Sequence, residues 1–88
     1  MKLKSGFVVR EVAGKTLAVA VGERSREFHG MITLNGTGRV IWDALANDTT
    51  EEAIVDCLLE EYEIDRETAA RDVAAFVGTL RESGVLLD

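Results

Sequence analysis

The chain has 88 residues, 47% of them hydrophobic and only five aromatic, so it can build one modest, mainly aliphatic core and no deep pocket. A chain of this length buries roughly 60–65% of its unfolded surface, which suits a single domain over residues 1–88. Sixteen acids against ten Lys and Arg leave a net charge of −6, which weighs against nucleic-acid and anionic-membrane partners, because both need Lys and Arg to meet phosphate. The lone Cys57 excludes an intrachain disulfide. Met1-Lys2-Leu3-Lys4 lacks the apolar stretch of a signal peptide, and no run approaches a membrane span. The expected location is cytoplasmic.

Phe7-Val8-Val9-Arg10-Glu11-Val12 opens the chain as a β-branched strand. Ala13-Gly14-Lys15 supplies a turn, with Gly14 free to take positive φ. Thr16 to Val21 reads as the second strand of a hairpin, with Leu17, Val19 and Val21 on one face and smaller residues on the other. Gly22 to Glu27 is a charged loop, and Phe28 to Leu34 is apolar enough for a third strand.

The period then changes to that of helices. Asn35 is placed to cap a first helix reaching about Ala46, with Val40, Ile41, Ala44 and Leu45 turned inward. Thr49, three residues before Glu52, predicts a capping box that opens a second helix to about Tyr62. Its apolar stripe is Ile54, Val55, Leu58, Leu59 and Tyr62. Asp65 caps a third helix from Arg66 to Ser83, in which Ala69, Val73, Phe76, Val77 and Leu80 recur at the spacing of a buried face. Gly84 fits the stop, and Val85-Leu86-Leu87 docks back as a tail. The order β-β-β-α-α-α predicts an α+β domain, a three-stranded antiparallel sheet followed by three helices, winged-helix-like in outline. An open three-stranded sheet has two edges with unpaired N–H and C=O groups, which admit either a guest strand or edge pairing with a second copy.

No catalytic constellation emerges. His29 and Cys57 are the only His and Cys and fall on different predicted elements, so they offer no set of metal ligands. Cys57 reads as a buried structural thiol. Asn35-Gly36-Thr37-Gly38 lacks the length and the Gly-Lys-Ser/Thr ending of a phosphate loop, and helix capping accounts for it. Ser5, Ser25 and Ser83 are the serines present, and none stands in the Asp-Ser-Leu context of a carrier protein. A winged-helix DNA-binding or transcription-regulating domain is the alternative, but the bases Arg66, Arg71 and Arg81 of the third helix are offset by Glu67, Asp72 and Glu82. No cofactor and no metal are expected.

The stretch Gly30-Met31-Ile32-Thr33-Leu34-Asn35-Gly36-Thr37-Gly38, followed by Ile41-Trp42, resembles the PqqD family of peptide chaperones. The likeness continues through Asp48-Thr49-Thr50-Glu51-Glu52, Glu60-Glu61-Tyr62, Asp72-Val73-Ala74-Ala75-Phe76 and Leu80-Arg81-Glu82-Ser83-Gly84-Val85-Leu86. Gly36 departs from the family, many of whose members carry Glu there. The resemblance implies a RiPP recognition element, a freestanding module that binds the leader of a ribosomally made precursor peptide. In that family the leader adds as a strand to the third strand, in a cleft shared with the third helix. It is then presented to a modifying enzyme, often of the radical SAM class, in pyrroloquinoline quinone synthesis or a related pathway. On this reading Phe28, His29, Gly30, Met31, Ile32 and Thr33 supply the edge. Ala70, Val73, Ala74, Val77, Gly78 and Arg81 form a stripe on the third helix whose small residues leave room for the guest. Trp42 is expected in the core.

Overall fold

The computed structural model describes residues 1–28 and 30–87. Two sheets and four helices follow one another as β1 (Lys2–Leu3), β2 (Phe7–Val12), β3 (Lys15–Ala20), α1 (Arg24–Glu27), β4 (Met31–Leu34), α2 (Gly36–Ala44), α3 (Glu51–Glu61), α4 (Arg66–Glu82) and β5 (Leu86–Leu87). The predicted three-stranded antiparallel sheet is present, in the order β2-β3-β4, with the three long helices after it. Three features exceed the expectation. A short helix, α1, occupies the charged loop. The strand after it begins at Met31 rather than Phe28. The first residues and the tail pair as β1 and β5 in a sheet of their own.

The hairpin turns on Ala13-Gly14, both with positive φ (53° and 78°), which brings Val12 opposite Lys15. Positive φ at both central residues is the geometry that matches the right-handed twist of the two strands. Register then decides which sheet face is covered. Phe7 pairs with Ala20, Val9 with Ala18, Ala18 with Ile32 and Thr16 with Leu34. Ala18 is fully buried and Leu34 nearly so, and Phe7, Val9 and Ile32 pack against the core. The helices therefore cover the small-residue face of β3. Leu17 and Val19, the larger pair, look outward with Val8 and Met31.

The core draws Ile41, Trp42 and Leu45 from α2, Ile54, Val55 and Leu58 from α3, and Ala69, Val73, Val77 and Leu80 from α4, with Val85 and Leu86 closing it. Trp42 belongs there as expected, 5% exposed, with its ring edge-on to Phe7 at 5.8 Å. The N-terminal segment is stitched on by backbone bonds: Leu3 N–H donates to Leu45 O and Lys4 N–H to Val85 O, both at 2.9 Å. The Met1 ammonium donates to Asp48 Oδ1 at 2.7 Å, and that bond holds the Asp48 carboxyl below its ordinary pKa. No helix among the described residues is long and apolar enough to cross a membrane.

Caps decide where the helices start. Gly38 N–H donates to Asn35 Oδ1 and Thr68 N–H to Asp65 Oδ1, each at 2.7 Å, as the sequence predicts. At α3 the cap lies one residue later than expected: Ala53 N–H donates to Thr50 Oγ1 at 3.2 Å, while Thr49 N–H is spent on Met1 O at 2.8 Å. Thr49 is held by the N-terminal segment, so the capping position passes to Thr50. Replacing Thr50 with Ala should cost about 1 kcal/mol in urea denaturation, and Thr49→Ala clearly less. Equal losses would return the cap to Thr49.

The bond from Thr68 also lowers the Asp65 pKa below its ordinary 3.8. A carboxylate with a lowered folded pKa stabilises the fold fully above its unfolded pKa and loses that contribution as pH falls through the folded value. Asp65→Asn keeps a capping oxygen without the titration. Its urea midpoint should decline less steeply than that of the unaltered chain as the pH is lowered through the region below 3.8. Superimposable acid limbs would remove Asp65 from the linkage.

Candidate functional site

Among the described residues, strand β4 is hydrogen-bonded on one side only, to β3, and leaves its other edge open. The tail strand β5 pairs with β1, in a separate sheet. Along β4, Met31 and Thr33 are exposed, Ile32 is half-buried and Leu34 is buried, the alternation of a strand with one covered face. A segment laid along this edge would point alternate side chains outward beside Met31, which is 63% exposed, and inward toward the helices.

Where β4 ends, Asn35 turns the chain straight into α2, and a groove of about 300 Å³ opens. Asn35, Thr37, Gly38 and Ile41 form one wall, and Asp72, Ala75, Phe76 and Thr79 of α4 form the other. The walls meet at Gly38, where an added Cβ would lie 2.9 Å from Asn35 Oδ1 and 3.6 Å from Phe76 Cζ. Glycine here lets the Phe76 ring sit against the start of α2 while the cap stays in place. Thr37 Oγ1 also donates to Asn35 Oδ1, at 3.2 Å.

The predicted site residues divide accordingly. Met31, Ile32 and Thr33 lie on the open edge, and Leu34 joins them. Phe28 and Gly30 precede the strand. The Phe28 N–H closes α1 onto Arg24 O, and the Phe28 ring stands edge-on to Phe7 at 5.6 Å, which ties the approach to β4 to the core. His29 lies outside the described residues. On α4 the predicted stripe does not line this groove. Val73 and Val77 are fully buried in the core and offer no surface. Ala70, Ala74 and Arg81 are exposed, but at about 100° per residue they lie roughly 160–200° around the helix from Asp72, away from the groove. Gly78 has nothing within 4 Å of where its Cβ would be, so no close neighbour requires glycine there. Arg81 reaches Met1 Sδ at 3.7 Å. The groove residues Asp72, Ala75, Phe76 and Thr79 were legible only through Phe76, whose place at the margin of the apolar stripe marks where core gives way to surface.

A second, larger groove of about 630 Å³ also starts at Asn35 and runs between α2 and α3. Glu11, Asp43, Glu60 and Glu61 lie on it, and its base, Arg39, is held by both Asp43 oxygens at 3.0 Å. Cys57 lines this groove half-buried, not sealed as expected. The Tyr62 hydroxyl comes within 2.8 Å of a Cβ built on Gly36, so a side chain at position 36 requires Tyr62 to shift. On the exposed side of α4, Arg66 donates to Asp56 at 2.8 Å and Arg71 to Glu67 at 3.5 Å. Those arginines are committed to carboxylates, which further weakens the DNA-binding alternative.

An open strand edge that runs into a groove between helices defines a small α+β module with an accessible backbone ladder. The family model described as "Coenzyme PQQ synthesis protein D (PqqD)" matches residues 18–86, and the chain belongs to that family. Among solved structures, the chain is similar to "Lasso peptide synthetase B1 complexed with the leader peptide", with a TM-score of 0.72 at 26% identity, covering 99% of this chain and 96% of that one. It shares its fold with "TbiB1 in Complex with the TbiA(beta) Leader Peptide", with a TM-score of 0.73 at 24% identity over 100% of both chains. No curated protein matches the chain.

The contrast between two helical glycines tests the groove wall. Gly78→Ala, in open space, should stabilise the fold by about 0.5–1 kcal/mol through helix propensity. Gly38→Ala should lose stability despite the same gain in propensity, because Asn35 or Phe76 must move. Equal stabilisation in urea denaturation would show that Gly38 carries no packing constraint.

Proposed function

We propose that this chain binds the leader segment of a ribosomally made precursor peptide by strand addition to β4 and holds it for a modifying enzyme in RiPP or PQQ-type cofactor biosynthesis. The observation that carries the reading is the unpaired β4 edge continuing into the Asn35–Phe76 groove. Membership of the PqqD family and likeness to a lasso peptide synthetase B1 solved with a leader peptide support it. The chain acts as one domain in the cytoplasm, by holding rather than by chemistry, and the partner enzyme is of the radical SAM class.

The energetics follow from the geometry. A four-residue edge offers about four outward backbone groups to an antiparallel guest, because alternate residues face the neighbouring strand. Each bond contributes about 0.5–1.5 kcal/mol net, and ordering the guest offsets much of that sum. Apolar side chains must add the rest, at about 2.5 kcal/mol for each 100 Å² buried. The inward-pointing positions of the guest that face the half-buried Ile32 supply them. Backbone bonds thus set the direction of the guest and the groove sets which sequence is kept. A second copy pairing through β4 would compete for the same groups, so guest binding favours the monomer.

The test is an amide NMR titration with a peptide selected on this chain from a displayed library of random segments. Shifts should concentrate at Met31 to Leu34 and at Asp72 to Thr79. Shifts on the β2 edge, or an unchanged spectrum at millimolar peptide, would refute strand addition to β4.

A further inference from the structure

Among the described residues, Asp72 is the one ionisable residue on either wall of the groove that opens where β4 ends. It forms no ion pair and accepts no hydrogen bond among the described residues, although the neighbouring bases do: Arg71 is on Glu67 and Arg66 on Asp56. Nor does Asp72 serve the start of α2 as a capping group, because the Gly38 N–H is taken by Asn35 at 2.7 Å. One turn along α4, at i+4, stands the half-buried ring of Phe76, packed against Gly38. The groove therefore joins an apolar surface to an unpaired carboxylate at its mouth, and no positive side chain lies on it to balance that charge.

A side chain that matches both parts has an apolar stem and a cationic head. Lysine and arginine bury their methylenes on apolar surface and keep the charge at the solvent boundary. The guanidinium or ammonium is also attracted to an aromatic face. We infer that Asp72 is a specificity-determining residue, selecting a leader peptide that places a lysine or arginine at the inward-facing position beside Phe76. The stem lies on the Phe76 ring and the head meets the Asp72 carboxylate. This rests on strand addition at β4 and deepens it by naming the chemistry of one guest position. An acidic residue at that position is rejected, since the carboxylate would face it without a counter-charge. The contact is exposed, so it acts more through discrimination and encounter rate than through raw affinity.

The experiment is selection of displayed random segments of about 12 residues, long enough to span an edge of this size, on the intact chain and on Asp72→Asn and Asp72→Lys. Binders are assigned to β4 by amide shifts at Met31 to Leu34. Asp72 is exposed, and far-UV circular dichroism establishes that each variant is folded. The unaltered chain should enrich lysine or arginine at one position of the aligned binders. Asp72→Asn should erase that preference, and Asp72→Lys should turn it to aspartate or glutamate. For one lysine-bearing binder, Asp72→Asn should weaken affinity about three- to fivefold at low salt and less at about 0.5 M salt, where screening removes exposed pairs. Binders on β4 without a basic position, or a basic preference that survives Asp72→Lys, would overturn the role of Asp72 and leave strand addition intact. If no segment is retained on β4, strand addition fails and this inference fails with it.

Discussion

The hydrogen bond from Gly38 N–H to Asn35 Oδ1 is the contact on which the arrangement of the site depends. Asn35 is the single residue between the end of β4 and the first turn of α2, so its cap sets the angle at which an extended edge becomes a helix. The oxygen that satisfies the helix start also occupies the space a Cβ at position 38 would need, and Phe76 of α4 closes in on the same glycine. One polar bond and one missing methyl thus let Phe76 of α4 close on the start of α2, where the β4 edge ends. Without them the groove would have no fixed width, and an edge strand alone contributes too little to hold a guest.

Strand β3 is built inside out relative to side-chain size. Ala18, with Thr16 and Ala20, faces the helices, while Leu17 and Val19 face outward with Val8. The small inner face of β3 has a packing reason: Phe7, edge-on to Phe28 at 5.6 Å and to Trp42 at 5.8 Å, already fills the layer between sheet and α2. Large residues on β3 would compete with them for the same volume, and interiors tolerate little overpacking. The aromatic chain also ties the approach to β4 to the core, since Phe28 stands just before the strand and Trp42 lies deep in α2.

On α4 the buried stripe and the residues proposed for a guest fare differently. Its apolar spacing identifies Ala69, Val73, Phe76, Val77 and Leu80 as the buried face; four of these are fully buried, and Phe76 is half-buried on the groove. Small residues at 70, 74 and 78 looked like room for a guest, yet they lie away from the groove, and Gly78 has no close neighbour at all. Smallness reports an absence of side chain, and that absence has consequences only where another group comes near. The helical wheel states which residues share a face. Which flank of the core turns toward β4 depends on how the helix is rotated and crossed against α2 and α3, and that is a property of packing.

From the residues alone came the elements whose causes are local: the hairpin turn at Ala13-Gly14, the caps at Asn35 and Asp65, the stop at Gly84, and the helical stripes that assemble the core. Each depends on a residue's own backbone preference or on partners three or four positions away. Only the folded chain decided matters that turn on distant partners. Thr50 caps α3 because Met1 engages Thr49, the small face of β3 is the covered one, β5 pairs with β1 and leaves β4 bare, and Asp72 with Phe76 faces the groove where Ala70 with Ala74 does not. The physical reason is the same throughout: sequence periodicity fixes a pattern only up to a choice of face or register, and burial against other elements makes that choice.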